Sequence, residues 1–288
     1  MLSIVGLVVL VVMVFGGFAI TGGSLGPVLH ALPHEFLIIG GAAAGATLVA
    51  TDIRGIKEMG GGFARIVKGP KYKKADYGAA IFLTARLMRL FRAEGPTAVE
   101  PHIEDPKSSS IFAEYPQFAA DHFFIALVTD SIRLLVVSTG TLSPQAVEDV
   151  IDCHIETHHH AALKPVERLQ TMSDALPALG IVAAVLGVIK TMGSIDQPPA
   201  VLGAMVGSAL VGTFLGVLLS YGVVGPIASR LKAVIDEDSE IYLVVRRVIM
   251  ATLRGQPQPL VIESARTAIS PTHQPSFAEI FDGMRTAK

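Results

Sequence analysis

The sequence predicts an all-α membrane protein: four transmembrane helices, a helical cytoplasmic domain between the second and third, and a cytoplasmic C-terminal tail. Three observations predict it. The 288 residues are 51% hydrophobic and only 17% charged, with a mean hydropathy of +0.54, whereas soluble domains carry about 25% charged residues. The apolar residues gather in four segments of roughly bilayer-spanning length. Lys and Arg are missing from the two short links that join those segments in pairs.

The first span is residues 2–20, which carry no charged side chain and are dominated by Leu, Val, Ile and Phe. At roughly 1.5 Å per residue it covers about 28 Å, close to the hydrocarbon thickness of a bilayer. A cleaved signal peptide would show a basic leading segment and a small-x-small site after the apolar run. Neither is present, so the segment reads as a retained span. A link bearing Gly and Pro, residues 22–33, leads to a second span at 36–51, after which Asp52, Arg54, Lys57 and Glu58 appear together.

Residues 52–174 are different in kind, with Arg and Lys recurring from Arg54 to Arg168. The third and fourth spans, 175–192 and 201–224, follow as a hairpin, and the tail 230–288 is again charged. By the positive-inside rule the middle region, the tail and both termini are cytoplasmic, and both links lie outside. Lys190, near the outer end of the third span, snorkels to the interface. The division is therefore a first hairpin (1–51), a cytoplasmic helical domain (52–174), a second, channel-lining hairpin (175–229) and a cytoplasmic helix and tail (230–288).

Within the middle region, residues 77–94 carry helix formers and a periodic apolar face through Ile81, Leu87, Leu90 and Phe91, and 118–137 are similarly periodic. Ser143 before Pro144 reads as an N-cap with proline in the first turn, opening a helix to about His160. No strand-like run bounded by turn residues interrupts this region, and no repeat of fixed period is visible.

Composition excludes several classes. A net charge of −2 argues against a polyanion binder driven by bulk charge. The single cysteine, Cys153, cannot make an intramolecular disulfide. The absence of Trp and a 6% aromatic content do not suit a base- or sugar-stacking protein.

The spans hold essentially no ionisable group at mid-bilayer: Glu35 and Asp174 fall at or near span ends, and Lys190 and Asp196 lie toward one face. An ion pathway needs a titratable side chain in the middle, so either the chain conducts nothing or a partner supplies that group. What the spans do carry is small residues four apart: Gly41 and Gly45 in the second, Gly203 with Gly207 and Gly212 with Gly216 in the fourth. Such spacing lets helix backbones approach closely, either within the chain or against another subunit. Thr213 either turns its hydroxyl into a polar seam or bonds its own i−4 carbonyl. Pro177 and Pro226, at the cytoplasmic ends of the third and fourth spans, are either shape-setting helix-end prolines or hinges toward the cytoplasmic domain.

Two cytoplasmic clusters stand out. Arg86, Arg89 and Arg92 recur every third residue, with Glu94 and Glu100 beyond; this is either a solvated face or a charged docking patch. His154, His158, His159 and His160 lie near Cys153 and Glu156. The four-residue spacing of His154 and His158 suits zinc, but Ile155 stands where a metalloprotease motif needs Glu, and no third ligand is evident. A metal-dependent membrane enzyme would have to show stoichiometric metal lost on His154→Ala and His158→Ala. With no P-loop and no nucleophile elbow either, no catalytic residue, metal or cofactor is expected.

Several blocks are specific in order and spacing: Phe15-Gly16-Gly17, Thr21-Gly22-Gly23-Ser24-Leu25-Gly26, Asp105-Pro106, Ser110-Ile111-Phe112, Tyr115-Pro116, the run from Leu176-Pro177 to Ala183-Ala184, Val211-Gly212-Thr213-Phe214-Leu215-Gly216, Tyr221-Gly222 and Pro275-Ser276-Phe277. With them the chain resembles the flagellar stator branch of the MotA/TolQ/ExbB proton channel family over nearly its whole length. The resemblance implies a multi-pass protein of the bacterial inner membrane, a homo-oligomeric ring, pentameric around a dimer of MotB. MotB would bring the ion-carrying aspartate that these spans lack, and the ion gradient would be converted into torque on the rotor. It implies that Pro177 and Pro226 couple ion flow to torque, that Ala184 and Thr213 face the pore, and that Arg92 and Glu100 engage the rotor switch protein FliG. His154 departs from the acidic residue many relatives carry there, while Glu156 remains. Ala184 and Gly212 make an oxygen-poor lining, which favours proton transfer over sodium coordination. A TolQ/ExbB-like energiser of another envelope process is the alternative, disfavoured because those relatives have three spans and an external N-terminus.

Overall fold

The computed structural model describes residues 2–138 and 142–286, and among them every regular element is helical. Four helices are long and apolar enough to cross a membrane. The first, α1 (Leu2–Ile20), is helical as expected but widens into a π-helical turn over Val12–Gly16. Thr21–Ser24 then turn the chain, with Gly22 at φ +86°.

The second span departs from the sequence expectation. α2 runs from Leu25 to Ala50, so most of the expected link at 22–33 is helix and Pro33 lies inside it. Proline removes the N–H that would bond the carbonyl four residues earlier and its ring crowds that carbonyl, and the helix carries both costs here. His30 and Pro33 fall in the expected link and His34 and Glu35 just before the expected span; in the helix both histidines are exposed and Glu35 is buried. The amphipathic α3 (Ile53–Lys68) follows, capped by Asp52, whose side chain accepts from the Gly55 N–H at 2.9 Å. Its buried positions, Gly55, Met59, Gly62 and Ile66, recur at helical spacing.

α4 (Lys74–Glu94) covers the expected 77–94 helix and ends at Gly95, whose φ of +86° only glycine adopts readily; its N–H closes on the Phe91 carbonyl at 3.1 Å. α5 (Pro96–Glu104) starts at once with proline in the first turn, and a short α6 spans Ser110–Ala113. α7 covers His122–Val137, starting four residues later than expected because Asp121 caps it by accepting from the Phe124 N–H at 3.0 Å.

α8 begins at Pro144 with the Ser143 hydroxyl accepting from the Ala146 N–H, as the sequence predicts, but does not stop near His160. It continues unbroken to Met192, 49 residues in all, with Pro165 and Pro177 inside. The expected cytoplasmic helix and third span are thus one element. The fourth span behaves likewise: α9 runs from Pro199 to Leu253 and contains a π-helical stretch over Leu218–Val224. Pro226 lies just beyond that stretch, inside the helix. Its ring has to be accommodated against the preceding turn, and a widened turn immediately upstream does that. Two further helices, α10 (Gln258–Arg266) and α11 (Phe277–Thr286), complete the chain.

The chain forms two compact units. The first comprises residues 1–69 and 163–234, which contain the four apolar spans. Its inner contacts are modest: Ile39, Ala43, Leu176, Ala183 and Leu215 form a small core. Much of its apolar surface, including Leu37, Val49, Ile181, Val185 and Ile189, is exposed, as expected of helices that face lipid or neighbouring chains. The second unit, 70–162 and 235–288, has an ordinary water-soluble core in which Tyr77, Phe118, Phe124, Leu127, Ile132 and Ile151 are fully buried.

Candidate functional site

The spans meet most closely along a seam between α8 and α9, where glycine replaces side chains. A Cβ added at Gly216 would lie 2.6 Å from the Leu176 carbonyl oxygen and 2.9 Å from the Gly180 Cα; one added at Gly180 would lie 2.8 Å from the Gly212 carbonyl oxygen. Higher up, Gly187 faces Ala209 in the same way. The Gly212/Gly216 pair is therefore spent on packing inside one chain. Gly41, Gly45, Gly203 and Gly207 meet nothing within 4 Å and remain open to a neighbouring helix.

Two of the residues expected at the pore, Ala184 and Thr213, sit on this seam. The Ala184 backbone nitrogen is 3.3 Å from a Cβ placed at Gly212, and the Thr213 Cα is 3.3 Å from one placed at Gly180. Both residues are half-buried. Of the two fates open to Thr213, the i−4 bond is absent: among the described residues its hydroxyl makes no hydrogen bond. Pro177 belongs to the same stretch of α8, next to Leu176. At the end of the seam beyond Leu176, it closes with a buried hydroxyl pair, the Ser173 Oγ lying 3.1 Å from the Ser220 carbonyl and 3.2 Å from its Oγ. Gly225 presses on this pair, since a Cβ there would stand 3.1 Å from the Ser220 oxygen. Pro226, the next residue, is exposed.

Sequence reasoning missed one residue of this seam. Glu35, expected near a span end, lies well inside α2 with 6% exposure, and its Oε2 is 2.7 Å from a Cβ placed at Gly212. That oxygen has no hydrogen-bond partner. The signal that could have found it is the helical continuity of residues 25–50, which the polar triplet around Pro33 obscured.

The second unit holds the other expected residues. Arg92 and Glu100 are both exposed, on the consecutive helices α4 and α5. Arg92 donates to the Gln256 carbonyl at 3.3 Å and more weakly to that of Gly255 at 3.5 Å, whereas Glu100 makes no hydrogen bond or ion pair among the described residues. Arg86 leaves the arginine row by bonding Glu114 at 2.6 Å. The row is thus partly tied into the fold, and Arg89 and Arg92 are what it presents outward.

The histidines are occupied singly. His158 stacks on Phe123 at 3.6 Å between centroids, His154 meets the same ring edge-on at 4.9 Å, and His159 bonds the Ser239 Oγ at 2.9 Å and faces Asp236 at 3.3 Å. Among the described residues no three His, Cys, Asp or Glu side chains gather as a metal would need. The same unit is locked by Asp121, whose carboxylate accepts from the hydroxyls of Tyr72 (2.5 Å) and Tyr242 (3.0 Å). Burial alone would raise its pKa; the tyrosine hydroxyls, the Phe124 N–H and the Lys71 ammonium outweigh it and hold the carboxyl below its ordinary range. Arg246 bridges Glu148 (2.7 Å) and Asp152, tying the start of α8 to the end of α9.

Comparison with known proteins agrees with this layout. Residues 4–95 match the motility protein A N-terminal family, and residues 119–242 match the MotA/TolQ/ExbB proton channel family. Motility protein A of Salmonella typhimurium is 37% identical over 288 residues, covering all of this chain and 96% of that one, and motility protein A of Escherichia coli is 38% identical with the same coverage. Chemotaxis protein LafT of Vibrio parahaemolyticus is 34% identical over 97% of each chain. Among solved structures, the fold resembles Campylobacter jejuni MotAB (TM-score 0.72, 18% identity, 93% of this chain and 95% of that one). It also resembles the flagellar MotAB stator complex of Bacillus subtilis (TM-score 0.69, 21% identity, 99% and 98%).

Proposed function

The chain belongs to the motility protein A branch of the MotA/TolQ/ExbB proton channel family, and from that we propose that it is the stator subunit of a bacterial flagellar motor. With MotB it forms an ion channel that turns an ion gradient, most simply a proton gradient, into torque on the rotor. The observation that carries this reading is similarity to motility protein A along the full length, at 37% and 38% identity. The four spans, and a family match that begins in the first of them, favour it over a TolQ/ExbB-like envelope energiser.

In this reading the chain is a multi-pass protein of the inner membrane with both termini cytoplasmic, supported by the absence of Lys and Arg from the links at 21–24 and 193–198. Five copies surround a MotB dimer, and the open glycines Gly41, Gly45, Gly203 and Gly207 give neighbouring helices room to approach. MotB supplies the carboxylate that loads and releases the ion. Ala184 and the unpartnered Thr213 line the path beside it. Ala184 and Gly212 bring no side-chain oxygen to that path, which suits a proton better than a hydrated cation.

Torque has to pass from the spans to the second unit, and α8 and α9 each run on as helix from span residues into that unit. Pro177 in α8 and Pro226 in α9 each remove one backbone hydrogen bond, as Pro165 does, and so ease bending at the span ends. Arg92 and Glu100 are the charges that meet FliG, where complementarity sets encounter and register. The chemistry is ion transfer and mechanical coupling, and no bond-making step is assigned.

The test is swimming and filament staining of a strain lacking this gene, with and without a plasmid copy. Filaments that are present but paralysed, and that turn again with the plasmid, establish the stator role. Normal swimming in a strain without a second stator set overturns it.

A further inference from the structure

We propose that Glu35 is a proton-binding carboxyl of the ion path, carried within the membrane by this chain itself; the inference rests on the proton-conducting reading above. Three features of the structure point to it.

The first is depth. Glu35 stands ten residues into α2, about 15 Å from its outer end, and it packs on Gly212, thirteen residues and about 20 Å into α9. Both positions lie well inside a hydrocarbon layer about 30 Å thick. A carboxyl at that depth is costly to hold and is kept where it moves protons or ions.

The second is incomplete satisfaction. With 6% exposure, the side chain leaves its Oε2 without a partner. A carboxyl retained only to tie helices together would have both oxygens bonded, since each unmet buried acceptor costs free energy. An oxygen left open is one that can take up a proton.

The third is the room made for it. Gly212, at the meeting of α2, α8 and α9, has no side chain where the carboxyl sits; a Cβ there would come within 2.7 Å of Oε2 and 3.1 Å of the Ala183 methyl. Thr213, whose hydroxyl is unpartnered, is the next residue.

The charged and titratable surroundings are few. From α8 and α9 nothing ionisable faces the carboxyl: Lys190 lies near the outer end of α8, and α9 has only Tyr221 before Arg230. On α2 itself are His34, adjacent in sequence, and His30 one turn outward, with exposed rings 6.1 Å apart. Pro33 cannot bond the Leu29 carbonyl. These groups give the outer third of α2 a polar track leading toward Glu35. A proton arriving from outside would convert the carboxylate to the neutral acid and leave again as the bare proton, so charge and atoms balance without another reactant.

The experiment uses the full complex with MotB in proteoliposomes, measuring proton uptake under an imposed gradient. In parallel, dicyclohexylcarbodiimide, which forms adducts with protonated buried carboxyls, is applied to the wild-type complex across a pH series and the adduct is located by mass spectrometry. The expected result is a Glu35 adduct that declines as pH rises, and a Glu35→Gln complex that assembles with MotB but conducts about tenfold less or lower still, the loss of a positioned proton carrier. Glu35→Asp should recover part of the flux with a shifted pH profile. Wild-type flux and pH profile in Glu35→Gln overturn the proposal, as does adduct formation that is absent or indifferent to pH. If Glu35→Gln fails to assemble, the wild-type labelling series decides on its own. A wild-type complex that conducts nothing overturns the channel reading itself, a failure distinct from that of Glu35.

Discussion

Substituting Gly216 by Ala tests whether the α8–α9 seam is a backbone contact. The added methyl would sit 2.6 Å from the Leu176 carbonyl oxygen and 2.9 Å from the Gly180 Cα. Both are backbone atoms, so no side chain can swing away and the helices themselves must part by several tenths of an ångström. Overpacking of this kind costs about 1–3 kcal/mol, against a gain of at most about 1 kcal/mol from better helix propensity. With that gain subtracted, the net expectation is a destabilisation of up to about 2 kcal/mol, or a midpoint lowered by up to roughly 8 °C. Gly60→Ala, at an exposed position of α3, is the matched control, because a Cβ there meets nothing within 4 Å and the propensity gain stands unopposed. The assay is thermal unfolding of the purified complex in detergent, followed by the fraction that remains monodisperse, with swimming speed as a second readout. A Gly216→Ala complex as stable as the Gly60→Ala one would refute the close approach and, with it, the reason the seam excludes side chains.

Four further outcomes are expected. Glu100→Lys should weaken rotor engagement by roughly tenfold, about 1.4 kcal/mol, with membrane insertion intact, and a charge reversal on FliG should restore part of the swimming; unimpaired motility at normal expression would remove the docking role. Arg92→Glu should act in the same direction, together with some loosening near α10 because Arg92 also holds the Gln256 carbonyl. Pro177→Ala should reduce torque with little change in assembly, read by tethered-cell rotation and co-purification with MotB, whereas failure to co-purify would make the proline structural. Asp121→Ala should destabilise the soluble unit by about 3 kcal/mol at neutral pH by stranding two tyrosine hydroxyls. Because the folded-state carboxyl lies below its unfolded value of about 3.9, that stabilisation is present in full above the unfolded value. The part that depends on the charge is lost as pH falls through the folded one, so the gap between the two melting curves should narrow in acid; a gap of unchanged size there would count against the charge-based account.

Much of the fold was legible because bilayer-length apolar runs and cap residues are local signals. Ser143 with Pro144 marked the start of α8 to the residue. What local signals cannot report is continuity. Nothing in the stretch 161–174 says whether the chain stops between a soluble helix and a span, and the structure shows that it does not. Pro33 and its polar neighbours illustrate the opposite error. Proline and charge are breakers in water, but in α2 the backbone carries on and the polar groups divide between an exposed face and a buried contact. Glycine spacing had the same limit: three pairs four apart look alike in sequence, yet only Gly212 and Gly216 touch another backbone within the chain.

That last distinction bears on how the seam works. Gly212 has close neighbours on two sides, Ala183 and Ala184 of α8 on one and the Glu35 carboxyl on the other. Helix approach alone would ask for a small residue, and alanine would nearly serve, since 3.1 Å to a methyl and 3.3 Å to a nitrogen are tight distances that small shifts relieve. The 2.7 Å approach to the Glu35 carboxyl oxygen is shorter, and relieving it means swinging that side chain out of its buried position. Glycine at 212 is therefore required chiefly where the carboxyl has to keep its place. Replacing Glu35 by a smaller side chain should make Gly212→Ala tolerable, whereas it should do nothing for Gly216→Ala, whose clash is with backbone. Assembly with MotB in the four single and double variants distinguishes the two, and equal rescue of both glycine variants would show that the seam is governed by helix spacing alone.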